Sequence, residues 1–125
     1  MNRYLLISIG AVLGANTRYL VGLWAIDRLG AGFPYGTFLV NVTGSFVLGF
    51  LLAALEGRLP LPSDLRFLVG VGFLGAYTTF SSYAVESLIL LRDGSTATAL
   101  LNIFGNNLAG LAAAFLGFML ARWIG

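Results

Sequence analysis

Inside one apolar stretch the chain carries Thr78, Thr79, Ser81 and Ser82, interrupted only by Phe80 and followed by Tyr83 and Glu86. A segment that only had to be apolar would not be built this way. In lipid every backbone polar group must be satisfied within the protein, so polar or broken helix at membrane depth lines a cavity or a site. Amides stand in two other apolar stretches: Asn41 in one, Asn106 and Asn107 in another. Thr37, Asn41 and Ser45 recur every four residues and therefore share one helix face. Phe80 and Tyr83 lie one helical turn apart, and the edge of an aromatic ring carries positive partial charge. Asn41, Phe80, Ser81, Ser82, Tyr83 and Asn107 thus offer a small anion donors and ring edges, without a lysine or histidine to hold it tightly. That suits conduction, where binding must be strong enough to admit an ion and weak enough to release it.

Each of these residues also has a plainer reading. Asn and Ser side chains commonly tie membrane helices together, for about 0.6 kcal/mol each. Aromatic rings in lipid usually fill space. Arg18 is either a snorkelling residue near a span end or a cation that draws anions into a vestibule. Glu86 is the one carboxylate well inside an apolar span, which makes it a functional candidate by default, with a paired structural acid as the alternative. Several amides stacked in one thin bundle favour the polar pathway.

Composition narrows the chemistry further. There is no histidine and no cysteine, and all seven cationic residues are arginines. The commonest general base, the commonest metal ligand and every thiol chemistry are therefore missing. This argues against an enzyme and against a transition-metal site. A net charge of +2 is too small a bias to point to nucleic acid. With 58% hydrophobic and 10% charged residues, against about 25% charged in soluble domains, the chain reads as a membrane protein.

A span needs roughly 20 apolar residues, and four segments qualify: residues 4–26, 35–55, 65–91 and 96–123. The start, with Arg3 before an apolar run, imitates a signal peptide but reads as a retained first span. Gly and Pro close the first two short connections, and Arg92-Asp93-Gly94-Ser95 closes the third. The expected fold is an all-α membrane protein, one four-helix domain over residues 1–125. The third span, about 27 residues, would measure about 40 Å as a straight helix. Gly70, Gly72 and Gly75 followed by Thr78-Thr79 make a break near Gly75 the expected solution. Gly10 with Gly14, Gly110 with Ala114 and Gly117 with Ala121 are spaced for close helix packing.

Four helices make too thin a bundle to enclose a pore alone, so an oligomer is expected. The arginines are nearly balanced across the membrane: Arg3, Arg58, Arg66 and Arg122 on one side, Arg28 and Arg92 on the other, with Arg18 near the latter. Under the positive-inside rule this is a weak vote. A chain so undecided is suited to inserting both ways and pairing about a two-fold axis in the membrane plane.

Gly14-Ala15-Asn16-Thr17-Arg18-Tyr19, residues 36–44 (GTFLVNVTG) and residues 72–81 (GFLGAYTTFS) together resemble the CrcB/Fluc fluoride channels. The likeness covers three of four spans by motif and the whole chain by length and span count. It implies a dual-topology, antiparallel homodimer in the cell inner membrane, with two fluoride pores that passively export fluoride and confer resistance to it. Asn41 would hydrogen-bond fluoride, with Thr37 on the same helix face. Phe80 and Tyr83 would supply ring edges, and Ser81, Ser82 and Asn107 would fall on the polar track. Arg18 would match the family's arginine near the pore mouth and Glu86 its third-span carboxylate. The helix break would hold a structural sodium ion on the dimer axis through backbone carbonyls of Gly75 and Thr78. The second aromatic of the family is usually Phe, where this chain has Tyr83; Asn107 stands where Ser is frequent, and Leu111 replaces the next polar turn. Two other readings remain: a proton-coupled dual-topology multidrug exporter, whose relatives carry a first-span carboxylate that is missing here before Asp27, and a non-conducting structural membrane subunit.

Overall fold

Long apolar segments in lipid satisfy their own backbone only as helices or closed barrels, and this chain takes the helical solution. The computed structural model describes residues 2–125, the side chain of Arg58 excepted, and it is all-helical among them. Helix α1 (Arg3–Leu29) starts at Asn2, whose side chain accepts the Tyr4 N–H at 2.8 Å and so satisfies an otherwise orphan donor. Helix α2 (Tyr35–Ala53) follows Pro34 and runs on through a wider, π-type turn at Ala54–Arg58. Four helical stretches are long and apolar enough to cross a membrane: Arg3–Leu29, Tyr35–Gly57, Arg66–Arg92 and Thr96–Ile124. Their ends lie within a few residues of those expected from the apolar runs. The chain is a multi-pass membrane protein.

The third span is irregular. Its first part, α3 (residues 66–77), is wound with π-type turns over Arg66–Leu74 before a short α-helical stretch, Gly75–Tyr77. The Gly75 N–H closes on the Gly70 carbonyl, five residues back. Gly75 itself is helical, at φ −61° and ψ −35°. The two extended residues come later: Thr78 at φ −83°, ψ 158° and Thr79 at φ −152°, ψ 115°. Helix α4 (Phe80–Arg92) then resumes, and α5 (Thr96–Ile124) completes the chain. The glycine run thus does not mark the extended residues. β-Branched threonines, which favour extended backbone, do.

Helix α5 lies along α2, α1 lies along α3, and α4 packs on α5. The interior between them is made of small residues. Ala25, Ala53, Ala54, Ala99 and Ala121 are buried, and the largest fully buried side chains are Val40 and Asn102. Large apolar side chains such as Trp24, Leu101 and Phe115 point outward instead, as a membrane solvent allows. Backbones approach so closely that a Cβ at Gly14 would run into the Phe73 carbonyl, and one at Gly117 into that of Phe46. Gly110 is different: its neighbour is the Ser45 hydroxyl at an ordinary 3.7 Å.

Gly14→Ala is therefore expected to destabilise the fold by about 1–3 kcal/mol, the usual cost of overpacking. Gly22→Ala, whose Cβ would meet nothing within 4 Å, should be neutral or slightly stabilising, because Ala is the better helix former. Thermal denaturation in detergent separates the two. Equal melting of both variants would contradict the packing described for α1 and α3.

Candidate functional site

At the extended pair, side chains replace the bonds a helix would have made. The N–H and Oγ1 of Thr78 both donate to the Leu74 carbonyl, at 3.0 and 2.9 Å. In a continuous helix the Thr79 N–H would go to the Gly75 carbonyl; it donates instead to Asn41 Oδ1 at 2.8 Å. The Ser82 N–H, whose helical acceptor would be the Thr78 carbonyl, donates to Thr79 Oγ1 at 3.1 Å. Thr79 is thereby the N-cap of α4. Its own carbonyl accepts from Asn41 Nδ2 at 3.1 Å. One amide of α2 thus pairs with both polar groups of Thr79, much as a neighbouring strand would. A backbone N–H can only donate, so the atom of Asn41 facing it is the oxygen.

Asn41 Nδ2 reaches a second acceptor, Asn106 Oδ1, at 3.0 Å. Both hydrogens of this amide are therefore engaged within the chain. The sequence reading made Asn41 a direct donor to an anion; in the structure it braces Thr79, and an ion would have to compete with Asn106 for its second hydrogen. Behind Asn106 the polar contacts continue through Asn102 to Ser87 on α4.

The remaining expected residues fall into two clefts. The first, about 260 Å³, is lined by Asn41, Ser45, Thr78, Thr79, Phe80, Tyr83, Asn106 and Asn107, among others. Here the Phe80 and Tyr83 rings meet, their centroids 5.4 Å apart and their planes at 59°. The Tyr83 hydroxyl accepts from Asn107 Nδ2 at 2.9 Å, so the tyrosine in the second ring position has a fixed polar partner. Tyr83 is buried while Phe80 is 78% exposed on the outside of the chain. Ser81 is exposed beside Thr79, with Oγ···Oγ1 at 3.4 Å, and Ser82 is half-buried; neither lines this cleft.

The second cleft, about 270 Å³, includes Gly22, Ala25, Thr37 and Glu86 in its wall. Thr37 Oγ1 donates to Glu86 Oε1 at 2.7 Å, while Oε2 is buried without a hydrogen-bond partner among the described residues. The polar face of α2 joins the two clefts, since Thr37 and Asn41 are one turn apart. Arg18 stands half-buried on α1 and makes no hydrogen bond or ion pair within the described residues.

Two buried polar residues escaped the sequence reading, Ser87 and Asn102, and Asn106 was noticed without a role. The available signal was the four-residue spacing of Asn102 and Asn106 on one face of α5. No group of His, Cys, Asp or Glu able to hold a metal ion occurs among the described residues.

Four membrane-crossing helices with uncharged donors gathered at a cleft open on one side of the chain define a multi-pass membrane protein with a polar site within its spans. Residues 5–118 match the family described as CrcB-like protein, Camphor Resistance (CrcB), and the chain belongs to that family. A protein of Chloroflexus aurantiacus named fluoride-specific ion channel FluC is 42% identical over 125 residues, covering 100% of this chain and 99% of its own. Proteins of the same name from Legionella pneumophila (45% over 121 residues, 97% of this chain and 90% of theirs) and Thermus thermophilus (46% over 121 residues, 96% and 94%) are similar to it as well.

Asn41→Ala should leave the Thr79 N–H and C=O without partners, at about 1–3 kcal/mol for each group. The expected result is a lower melting temperature together with faster hydrogen exchange at the Thr79 amide. Unchanged exchange there would remove Asn41 from the bracing role.

Proposed function

We propose that this chain is a fluoride-selective passive channel of the cell inner membrane, working as an antiparallel homodimer with two pores. The observation that carries the reading is the cleft of neutral donors at the interruption of the third span, in a chain whose relatives are named for fluoride conduction. Gly75, Phe80, Ser81 and Asn107 are exposed on the chain although they lie well inside spans. Polar side chains and a glycine surface at that depth call for protein cover, and a second copy is the economical source. The balanced arginines favour a partner of opposite orientation.

In this reading fluoride enters the cell as HF, ionises in the cytoplasm, and leaves down its gradient. Its shell would come from the ring edges of Phe80 and Tyr83 and the hydroxyls of Ser81 and Ser82, with Asn107 joining only by giving up its bond to the Tyr83 hydroxyl or to the Ile103 carbonyl. Thr37 and Asn41 would mark the α2 side of the path, Arg18 the vestibule. None of these groups carries the fixed charge of a lysine inside the cleft, which keeps binding weak enough for release. Fluoride holds its water more tightly than chloride because it is smaller, so selective passage needs many donors at short range, and this is what amides and hydroxyls supply.

The interruption also has the chemistry of an alkali-cation site. The N–H groups that would close on the Gly75 and Thr78 carbonyls are turned to Asn41 and Thr79. Neutral carbonyl oxygens at an unwound helix suit sodium, and a lack of soft or imidazole ligands disfavours transition metals. A sodium ion there would tie the two interruptions together across the two-fold axis; it takes no part in passing the anion.

Three experiments test the proposal. Purified protein in liposomes should release fluoride at least about 100-fold faster than chloride, a gap of at least about 2.7 kcal/mol in barrier height. Absent or unselective flux would sink the channel reading. Glu86→Gln discriminates the exporter: a proton-coupled transporter loses transport with its carboxylate, whereas a passive fluoride flux persists. An experimental structure in sodium should contain two antiparallel copies with density between the Gly75–Thr78 segments. Parallel copies, or the same density after sodium is replaced by a bulky organic cation, would overturn the dimer or the ion respectively.

A further inference from the structure

Ser87 and Asn102 line neither cleft, yet they are among the most buried polar side chains of the protein, Asn102 at 0% exposure and Ser87 at 5%. We propose that they are positioning residues for the ion path, acting through one directed chain of hydrogen bonds that fixes which way the cleft amides point. The chain begins at the Thr79 N–H on Asn41 Oδ1 (2.8 Å) and passes from Asn41 Nδ2 to Asn106 Oδ1 (3.0 Å). It continues from Asn106 Nδ2 to Asn102 Oδ1 (2.8 Å) and from Asn102 Nδ2 to Ser87 Oγ (2.9 Å). It ends where the Ser87 hydroxyl donates to the Tyr83 carbonyl (2.8 Å).

Both ends of this chain are obligate. A backbone N–H only donates and a backbone carbonyl only accepts, so every amide between them has a single allowed orientation. Turning one over sets donor against donor on one side and acceptor against acceptor on the other. Side contacts agree with this direction: Asn41 Nδ2 also meets the Thr79 carbonyl, and Asn106 Nδ2 the Asn102 carbonyl. Bonds aligned head to tail polarise one another. The Thr79 backbone sets Asn41 from within the cleft, and Ser87 and Asn102, on α4 and α5, brace the same direction from outside it through Asn106. The chain also ties α2, the N-terminus of α4 and α5 into one register, and with them the Phe80–Tyr83 ring pair. The transport consequence rests on the channel reading; the chain itself does not.

Fluoride efflux from liposomes and side-chain amide spectra of protein labelled with ¹⁵N-asparagine test the two separately. Ser87→Ala and Asn106→Ala should each slow efflux about ten-fold, roughly the worth of one net hydrogen bond. Because either change disconnects the same chain, the double variant should be no more than about two-fold slower than the slower single variant. Effects that multiply would overturn the proposal. Ser87→Thr keeps the hydroxyl and its bond to the carbonyl four residues back, and efflux near the wild-type rate is expected; a rate as low as that of Ser87→Ala would count against it. In the spectra, Ser87→Ala should move the Asn41 side-chain amide, three hydrogen bonds away, and a change confined to Asn102 would refute a connected chain. Should the alanine variants not fold, wild-type protein still decides: the Asn102 and Asn106 side-chain amides should exchange with D₂O far more slowly than that of exposed Asn16, and equal exchange would overturn the chain. Wild-type protein that passes no fluoride but shows slow exchange at those amides would defeat the channel reading alone.

Discussion

An extended Thr78-Thr79 pair in the middle of a membrane span takes peptide groups out of the helical ladder, and lipid offers them no water in exchange. Each group left bare would cost on the order of a few kcal/mol, so the pair persists only because other parts of the chain answer it. The Asn41 amide pairs with Thr79 on both sides, and the Thr79 hydroxyl caps the helix that follows. Most other features of the bundle can be traced to this arrangement. Asn41 must come close to Thr79, which requires Gly44 to present no side chain where the Thr78 methyl sits. Asn106 must stand behind Asn41, which places α5 directly along α2. The small interior, with no fully buried side chain larger than Val40 or Asn102 among the described residues, is what allows three helices to converge on one dipeptide.

The same economy bears on how a channel of this kind would treat an anion. A lysine or arginine pointed into a cleft this narrow would bind a halide too well to let it go, and a carboxylate would repel it. Amides and hydroxyls avoid both, but they rotate readily, and a donor that turns over becomes an acceptor. A fixed orientation is therefore worth more here than the individual bonds. Asn107 holds the Tyr83 hydroxyl and Asn106 holds Asn41, so neither polar group beside the ring pair is free to turn.

Much of this was legible in the residues alone, and the limits have physical causes. Long apolar runs located all four spans because hydrocarbon thickness sets their length. The hydroxyl-rich run from Thr78 to Tyr83 marked the unusual span. Glycines drew the expected break to Gly75, whereas the extended residues are Thr78 and Thr79, whose position depends on Asn41, distant in sequence and brought close only by packing. Ser87 and Asn102 were not legible for a related reason. A lone serine or asparagine in a span has the same local signature whether it ties helices together or belongs to a chain of amides. Only the arrangement of α4 against α5 distinguishes the two. Phe80 shows the reverse case: its type and spacing were read directly, but its exposure on the chain's outer surface belongs to no sequence signal.

The separation of the two clefts bears on the choice between a channel and a proton-coupled exporter. An exporter that exchanges protons for substrate needs its carboxylate where substrate binds, so that the two compete for one site. Glu86 is not there. It is held by Thr37 in the second cleft, while the amides and the ring pair gather in the first. Competition at a shared site cannot operate between groups that line different clefts, and no carboxylate lines the first cleft among the described residues. An anion in the first cleft would meet amides, hydroxyls and ring edges with the carboxylate kept apart in the second, which serves conduction and gives an exporter nothing to exchange.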